Sequence, residues 1–149
     1  MGDPRTYPDR PYLAVSAAIV RDGKVLIVRR ACAPAQGIHT LPGGAVETGE
    51  TLMEAVIREV REETSLTIEP VALAGHREVI VRDAAGRVER HFVVLAFAAR
   101  WIAGEAAPGE ELAEARWMHP SMLDGLQTTE GLAEIVAEAF VRLNDSKQH

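Results

Sequence analysis

The sequence predicts an α/β fold in which a mixed β-sheet is covered by helices on both faces. Three observations carry this expectation. Strand-like segments alternate along the chain with two helix-like ones instead of segregating from them. Residues 92–98, FVVLAFA, are almost continuously apolar, as a central strand buried on both sides requires. Residues 51–64 open with a capping box, Thr51 followed by Glu54, and continue as a helix with an apolar stripe. A strand that must be covered twice needs a helix on each face, and the chain offers two.

The elements follow in order. Residues 1–11, MGDPRTYPDRP, carry three prolines and four charges and read as an irregular lead-in, mobile at its start. Leu13 to Val20 is a strand of small and branched residues, Asp22–Gly23 a two-residue hairpin turn, and Lys24 to Arg30 the returning strand. Residues 31–40 form a loop leading to the glycine-rich turn Leu41–Pro42–Gly43–Gly44. The helix runs from Leu52 to about Thr64, with Leu52, Met53, Val56, Ile57 and Val60 as its buried arc. Leu66 to Ala74 is extended. Glu78 to Arg82 and Val88 to Trp101 form a long hairpin turning at Ala84–Ala85–Gly86–Arg87. Glu105 to Glu111 is a loop, and Glu114, just before the Trp117 strand, belongs with it. Arg116–Trp117–Met118 is a short last strand, and HPSMLDGL after it is turn-like. Thr129 to Leu143 is the second helix, with Leu132, Ile135, Val136, Phe140 and Leu143 on one stripe, and residues 144–149 are a polar tail.

A chain of 149 residues fits one domain, 1–149, and 47% apolar with 26% charged residues is ordinary for a globular protein. No apolar run approaches 18 residues and no signal-peptide pattern opens the chain, so neither a membrane nor export is expected. One cysteine, Cys32, excludes an internal disulfide and fits a reducing, cytoplasmic setting. It reads as a plain thiol, since no motif surrounds it. A net charge of −6 argues against nucleic-acid coating, which needs clustered Lys and Arg. The arginines available to an anionic ligand are scattered: Arg29, Arg30, Arg58, Arg77 and Arg90. Residues 92–98 are either core or a homodimer contact.

The chemistry concentrates in residues 44–66. On a helix Glu59, Glu62 and Glu63 stand at i, i+3 and i+4, so their carboxylates share one face. Such an array is either a solvated acidic surface or a site for a compensating cation, and hard divalent ions prefer oxygen ligands. The glycine-rich turn before it, with Glu47, Gly49 and Glu50, allows close approach of backbone to a ligand. This stretch resembles the Nudix box, GX5EX7REUXEEXGU with U aliphatic. Gly44, Glu50, Arg58, Glu59, Val60, Glu62, Glu63 and Leu66 match, and Ser65 departs, standing where the family has glycine. Position 65 falls just past the helix, where a left-handed conformation is common, so the departure touches helix termination and not the chemistry.

The resemblance implies the α/β/α sandwich of that family and metal-dependent hydrolysis of a nucleoside diphosphate linked to another moiety. Glu59, Glu62 and Glu63 would hold Mg²⁺, or Mn²⁺ in its place, with the Gly44 carbonyl and Glu47 as further ligands. Arg58 would orient the glutamates, and Glu50 would steady the turn. Arg29 and Arg30 are candidates for substrate phosphate. The general base lies inside the box, at Glu62, or on the distant loop among Glu110, Glu111 and Glu114, with Glu111 preferred; each of these reads equally as a surface carboxylate. His39 stands where similar members carry an aromatic, and reads either as its substitute or as a solvated loop residue. The expected partner is a small nucleotide, ADP-ribose foremost. The alternatives are nucleoside triphosphate sanitation and a non-catalytic nucleotide sensor.

Overall fold

Asp22 and Gly23 both take positive φ, 52° and 77°, a pairing whose twist suits a two-residue hairpin. They join β1 (Tyr12–Arg21) to β2 (Lys24–Arg30). The computed structural model of the chain describes residues 5–32 and 35–147. The sheet continues with β3 (His39–Thr40), β4 (Gly43–Ala45), β5 (Thr67–Arg82), β6 (Val88–Ala103) and β7 (Leu112–Met118). Two helices, α1 (Leu52–Thr64) and α2 (Leu132–Lys147), and a 3-10 turn at Pro120–Gly125 complete it.

The strands make one mixed sheet. β1 runs parallel to β6, from Tyr12 opposite Phe92 to Val20 opposite Arg100, and all other strand pairs are antiparallel. The other edge of β1 is divided. β2 holds its end through Val20 and Val25, while β4 holds its middle, Ala14 facing Ala45 and Ser16 facing Gly43. β2 then diverges to pair with β3 and β7, and β5 pairs with β6.

Alternation along the strands sends neighbours to opposite faces. Val15, Ala17, Ile19 and Phe97 pack against Ala55, Val56 and Val60 of α1. Ala18, Ala74, Ala96 and Ala98 meet Leu132, Ile135, Val136, Ala139 and Leu143 of α2. Val56 and Val60 are fully buried, which stabilises the docking of α1 by roughly 3–6 kcal/mol. Helices on both faces of a mixed sheet are what the sequence predicts.

Several boundaries differ from expectation. Met53 is 40% exposed and Ala55 takes its place in the buried arc. The segments expected at 66–74 and 78–82 are one strand, β5, with bulges at Pro70/Ala72 and Leu73/Gly75. Pro70 has no N–H for the ladder. A Cβ on Gly75 would lie 3.0 Å from Ile135, so the glycine admits α2 against the strand without breaking it. β7 begins at Leu112, which places Glu114 in a strand and not in the loop. α2 starts at Leu132 because Gly131, at φ 78°, cannot be helical. It runs to Lys147, into the expected polar tail, where no glycine or proline stops it. Val94, Ala96, Phe97 and Ala98 are buried within the chain, so the alternative of a dimer contact falls at those four positions. The start of the lead-in, residues 1–4, lies outside the described residues; Tyr7 beyond it is tied to the hairpin by its N–H to Glu89 O, 2.8 Å, and its hydroxyl to Asp83, 2.8 Å.

Candidate active site

The site begins with how α1 is started and stopped. Thr51 Oγ1 accepts from Glu54 N–H at 3.1 Å, and Glu54 Oε1 accepts from Thr51 N–H at 3.0 Å, which closes the capping box. At the other end Ser65 adopts φ 68° and ψ 9°, and its N–H donates to Arg61 O. With both ends pinned, Arg58, Glu59, Glu62 and Glu63 are presented toward β4.

Arg58 is the hub. Its Nε and Nη2 donate to both oxygens of Glu50, 2.7 and 2.8 Å, and Nη2 also reaches the Ala45 carbonyl at 3.1 Å. Its Nη1 donates to Glu59 at 2.9 Å and to Glu62 at 3.2 Å. This bidentate arginine, helped by the Glu47 N–H, holds the Glu50 carboxyl down to about 2. The same hydrogen bonds push the Arg58 guanidinium further toward its charged form. The arrangement ties the glycine-rich turn to the helix.

Glu59 and Glu63 are in the opposite situation. Burial raises both carboxyls, Glu63 to about 7, although the Gly43 N–H donates to Glu63 at 3.1 Å and opposes the shift. Glu59 lies directly against Gly44: a Cβ there would fall 2.7 Å from its Oε1 and closer still to Cδ and Oε2. Among the described residues no three acidic, histidine or cysteine groups already converge as a finished metal cage. The donor set nevertheless suits a hard divalent cation. Three carboxylates stand in a row, two of them are destabilised as anions by burial, and the missing side chain of Gly44 lets the Glu59 carboxylate lie against the turn.

The loop before β7 is docked on this helix. Gly109 N–H donates to Glu63 O at 2.8 Å and Ala107 N–H to Thr64 O at 2.9 Å, so it satisfies carbonyls that the helix end leaves orphaned. Glu111 therefore already faces the acidic row, and its charge contributes to raising Glu63.

Helix, turn and loop form one wall of a cleft of about 1000 Å³. Gly43, Gly44, Glu59, Glu62, Glu63, Glu110 and Glu111 line that side. The floor is the α2-facing side of the sheet, and Arg5, Arg30, Arg77, Arg90 and Phe92 supply the remaining walls. The cleft is thus acidic at one end and basic elsewhere.

The structure sorts the expected residues. Gly44, Glu59, Glu62, Glu63, Arg30 and Glu111 come together in the cleft, and Arg58 buttresses them from behind. Glu47 does not join: it is exposed and outside the cleft lining, its N–H spent on Glu50. Arg29 does not join either. It faces Glu114 across β2 and β7, 3.6 Å away, because consecutive strand residues point to opposite faces and only Arg30 turns inward. Glu114, so paired, lies outside the cleft lining. His39 is half-buried in β3, its N–H donating to Gln127 O and its carbonyl accepting from Thr129 N–H, so it splices the sheet to the approach of α2. Arg5 and Phe92 carried no signal in the sequence, since their place depends on which strands pair.

The profile of the NUDIX domain matches residues 10–139. An ADP-ribose pyrophosphatase of Methanocaldococcus jannaschii is 38% identical over 72% of this chain and 61% of its own length, so less than two thirds of that protein is represented. A MutT-like protein of Streptomyces ambofaciens is 32% identical over 95% of the chain and 80% of its own length. The crystal structure of a MutT NUDIX hydrolase from Burkholderia pseudomallei superposes with a TM-score of 0.75 at 29% identity, covering 87% of this chain and 98% of that one.

Proposed function

The chain belongs to the Nudix family, and from that premise we propose that it hydrolyses a nucleoside diphosphate linked to a second moiety, with ADP-ribose the favoured substrate. One observation carries the reading: the acidic row of α1 opens onto a cleft whose other walls bear arginines. A diphosphate entering there meets carboxylates at one side, where uncompensated repulsion would amount to several kcal/mol in a partly buried site. Mg²⁺, or Mn²⁺, held by Glu59, Glu62 and Glu63 would neutralise that repulsion, stabilise charge on the phosphoryl oxygens and acidify bound water.

The chain's own groups do the rest. Arg58 fixes the rotamers of Glu59 and Glu62 through its Nη1. Arg30, whose charge bears on Glu63, approaches the phosphates from β2. With the three box glutamates committed to metal, Glu111 takes the proton of the attacking water as the water oxygen bonds to phosphorus and the bridging P–O bond breaks. The products are a nucleoside monophosphate and the phosphorylated second moiety. The reaction asks mainly for positioning and electrostatics. No helix among the described residues is long and apolar enough to cross a membrane, and the exposed lone Cys32 suits a reducing cytoplasm.

The test is a screen with Mg²⁺ of ADP-ribose, nucleotide sugars, dinucleoside polyphosphates and (d)NTPs, with products identified and the attacked phosphorus located by ¹⁸O-water. AMP and ribose 5-phosphate from ADP-ribose is the expected result. Glu111→Gln should lower the rate with Mg²⁺ affinity nearly unchanged, whereas Glu59→Gln should harm both. A silent Glu111→Gln, with Glu62→Gln removing a limb of the pH–rate profile, would move the base into the box. Pyrophosphate release from a nucleoside triphosphate with ADP-ribose intact would favour sanitation. Tight nucleotide binding without turnover would make the protein a sensor.

A further inference from the structure

We infer that Arg77 is a specificity-determining residue, binding a hydrogen-bond-accepting group at the end of the substrate remote from the hydrolysed phosphate. The inference rests on the function just proposed and adds to it where the far end of the substrate is read.

The placement follows from strand register. Ala45 of β4 faces Ala14 of β1, Ala14 faces Val94 of β6, and Val94 faces Arg77 of β5. Residues paired in this way share a face of the sheet, so the four form one row across the floor of the cleft. Three strand spacings make that row about 14 Å long. Its first member adjoins Gly44, against which Glu59 lies, and its last is Arg77. The row thus spans from the acidic row to the far wall.

The environment of Arg77 points to a ligand. Its guanidinium is half-buried and lines the cleft, yet makes no hydrogen bond or ion pair with the described residues. Among the described residues the charge of Glu130 acts on it, and burial depresses its pKa against that influence. Arg5, Arg30 and Arg90, the other arginines of the cleft, all have interactions within the chain. A guanidinium has five donors in a rigid fork, and withdrawing them from water unpaired is unfavourable. A surface arginine escapes by extending into solvent along an apolar stem. Arg77 instead lies along the cleft wall beside the cross-strand pair Val79 and Phe92. A fork beside an aromatic ring suits the acceptor edge of a nucleobase, and it equally suits the phosphate of a phosphorylated sugar. The shared requirement is an acceptor atom lying in the plane of the fork.

The test uses the full chain and calorimetric titration with AMP, GMP, ribose 5-phosphate and inorganic pyrophosphate in the presence of Mg²⁺. Arg77→Met keeps the apolar stem and removes the fork; Arg77→Lys keeps charge without the fork and serves as the second variant. Melting temperatures within a few degrees of wild type establish that each is folded. The expected result is a loss of at least tenfold in affinity for one class of ligand in Arg77→Met. Pyrophosphate affinity should stay within twofold, and Arg77→Lys should fall between. In turnover the defect should appear chiefly in KM. Weakening of AMP and GMP alone would identify a base acceptor, and weakening of ribose 5-phosphate alone a sugar phosphate; both outcomes support the assignment. Affinities and KM within twofold of wild type in the folded variants would overturn it while leaving hydrolysis intact. Wild type that binds AMP but cleaves no substrate, with the loss still seen in Arg77→Met, would sink the hydrolase reading alone. Wild type that binds none of the four would sink both.

Discussion

Gly43 and Gly44 are adjacent, and adding one methyl group to each should produce different failures. At Gly44 the three atoms nearest the new Cβ would all belong to the carboxylate of Glu59, 2.7 Å to Oε1 and less to Cδ and Oε2. Ordinary carbon contacts are about 3.5 Å or more, so the carboxylate must retreat by roughly 1 Å. It is the end of a flexible side chain and can do so, losing its 2.9 Å bond from Arg58, a partly exposed pair contributing about 1 kcal/mol or less. A misplacement of about 1 Å at a reacting centre is enough to cost about a hundredfold in rate, roughly 2.7 kcal/mol of barrier. At Gly43 the new Cβ would overlap the Val15 carbonyl and lie 2.7 Å from Ser16 Cα. Backbone cannot step aside, so β4 must lift from β1, at about 1–3 kcal/mol or more. That lowers Tm by roughly 2–12 °C. The assay is thermal melting beside Mg²⁺-titrated hydrolysis of ADP-ribose. Gly44→Ala should melt within about 4 °C of wild type while losing about a hundredfold in rate and needing more Mg²⁺. Gly43→Ala should melt early. If Gly44→Ala retains more than about a third of the rate, or if the two variants melt together, the close fit of Glu59 to Gly44 has no catalytic meaning.

Two further predictions concern the helix end. Burial raises Glu63 from 4.5 to about 7, so the protonated form is favoured by folding and the metal-free protein should be most stable below the unfolded value. That contribution, at most about 3 kcal/mol, is lost as pH rises through the folded value. Tm without metal should therefore decline between pH 5 and 8, and Mg²⁺ should raise it more at pH 8 than at pH 6. Glu63→Gln should flatten both trends and abolish turnover; a pH-dependent Mg²⁺ increment that survives the substitution would take Glu63 out of the metal site. Ser65 holds a left-handed conformation at φ 68°, where glycine is unstrained, so Ser65→Gly should add up to about 1 kcal/mol and raise Tm by a few degrees. A lower Tm would contradict the strain at that position.

Much of this was legible in the sequence because it is local. The capping box, the stop at Thr64, the left-handed Ser65 and the Asp22–Gly23 turn each depend on residues within a few positions of one another. The two helices and the mixed sheet followed from periodicity and from the apolar run at 92–98. What escaped depends on partners distant in the chain. β3 and β4 are too short for any period to show, and Gly43–Ala45 becomes a strand only because β1 accepts it. Arg29 and Arg30 look alike as letters, and the β2–β7 register decides that Glu114 takes the first and the cleft receives the second. Met53 stays exposed because its small neighbour Ala55 fits closer to the sheet.

The parallel pairing of β1 with β6 governs when the site can exist. The first hairpin and α1 use short-range contacts, and all their residues have been synthesised once the ribosome passes Leu66. The floor beneath the acidic row is not complete by then, because Ala14 meets Val94 only after the whole intervening stretch has been made. At ordinary translation speeds that is a delay of roughly 4–16 s, and pairing across such separations is slow in itself. During the delay the apolar face of β1 waits uncovered, the kind of segment on which chaperones act. A nascent chain halted just beyond Leu66 would carry every glutamate of α1 and none of the wall containing Arg77, Arg90 and Phe92. Catalytic competence therefore arrives in one late step, set by the ribosome's progress through the second half of the gene.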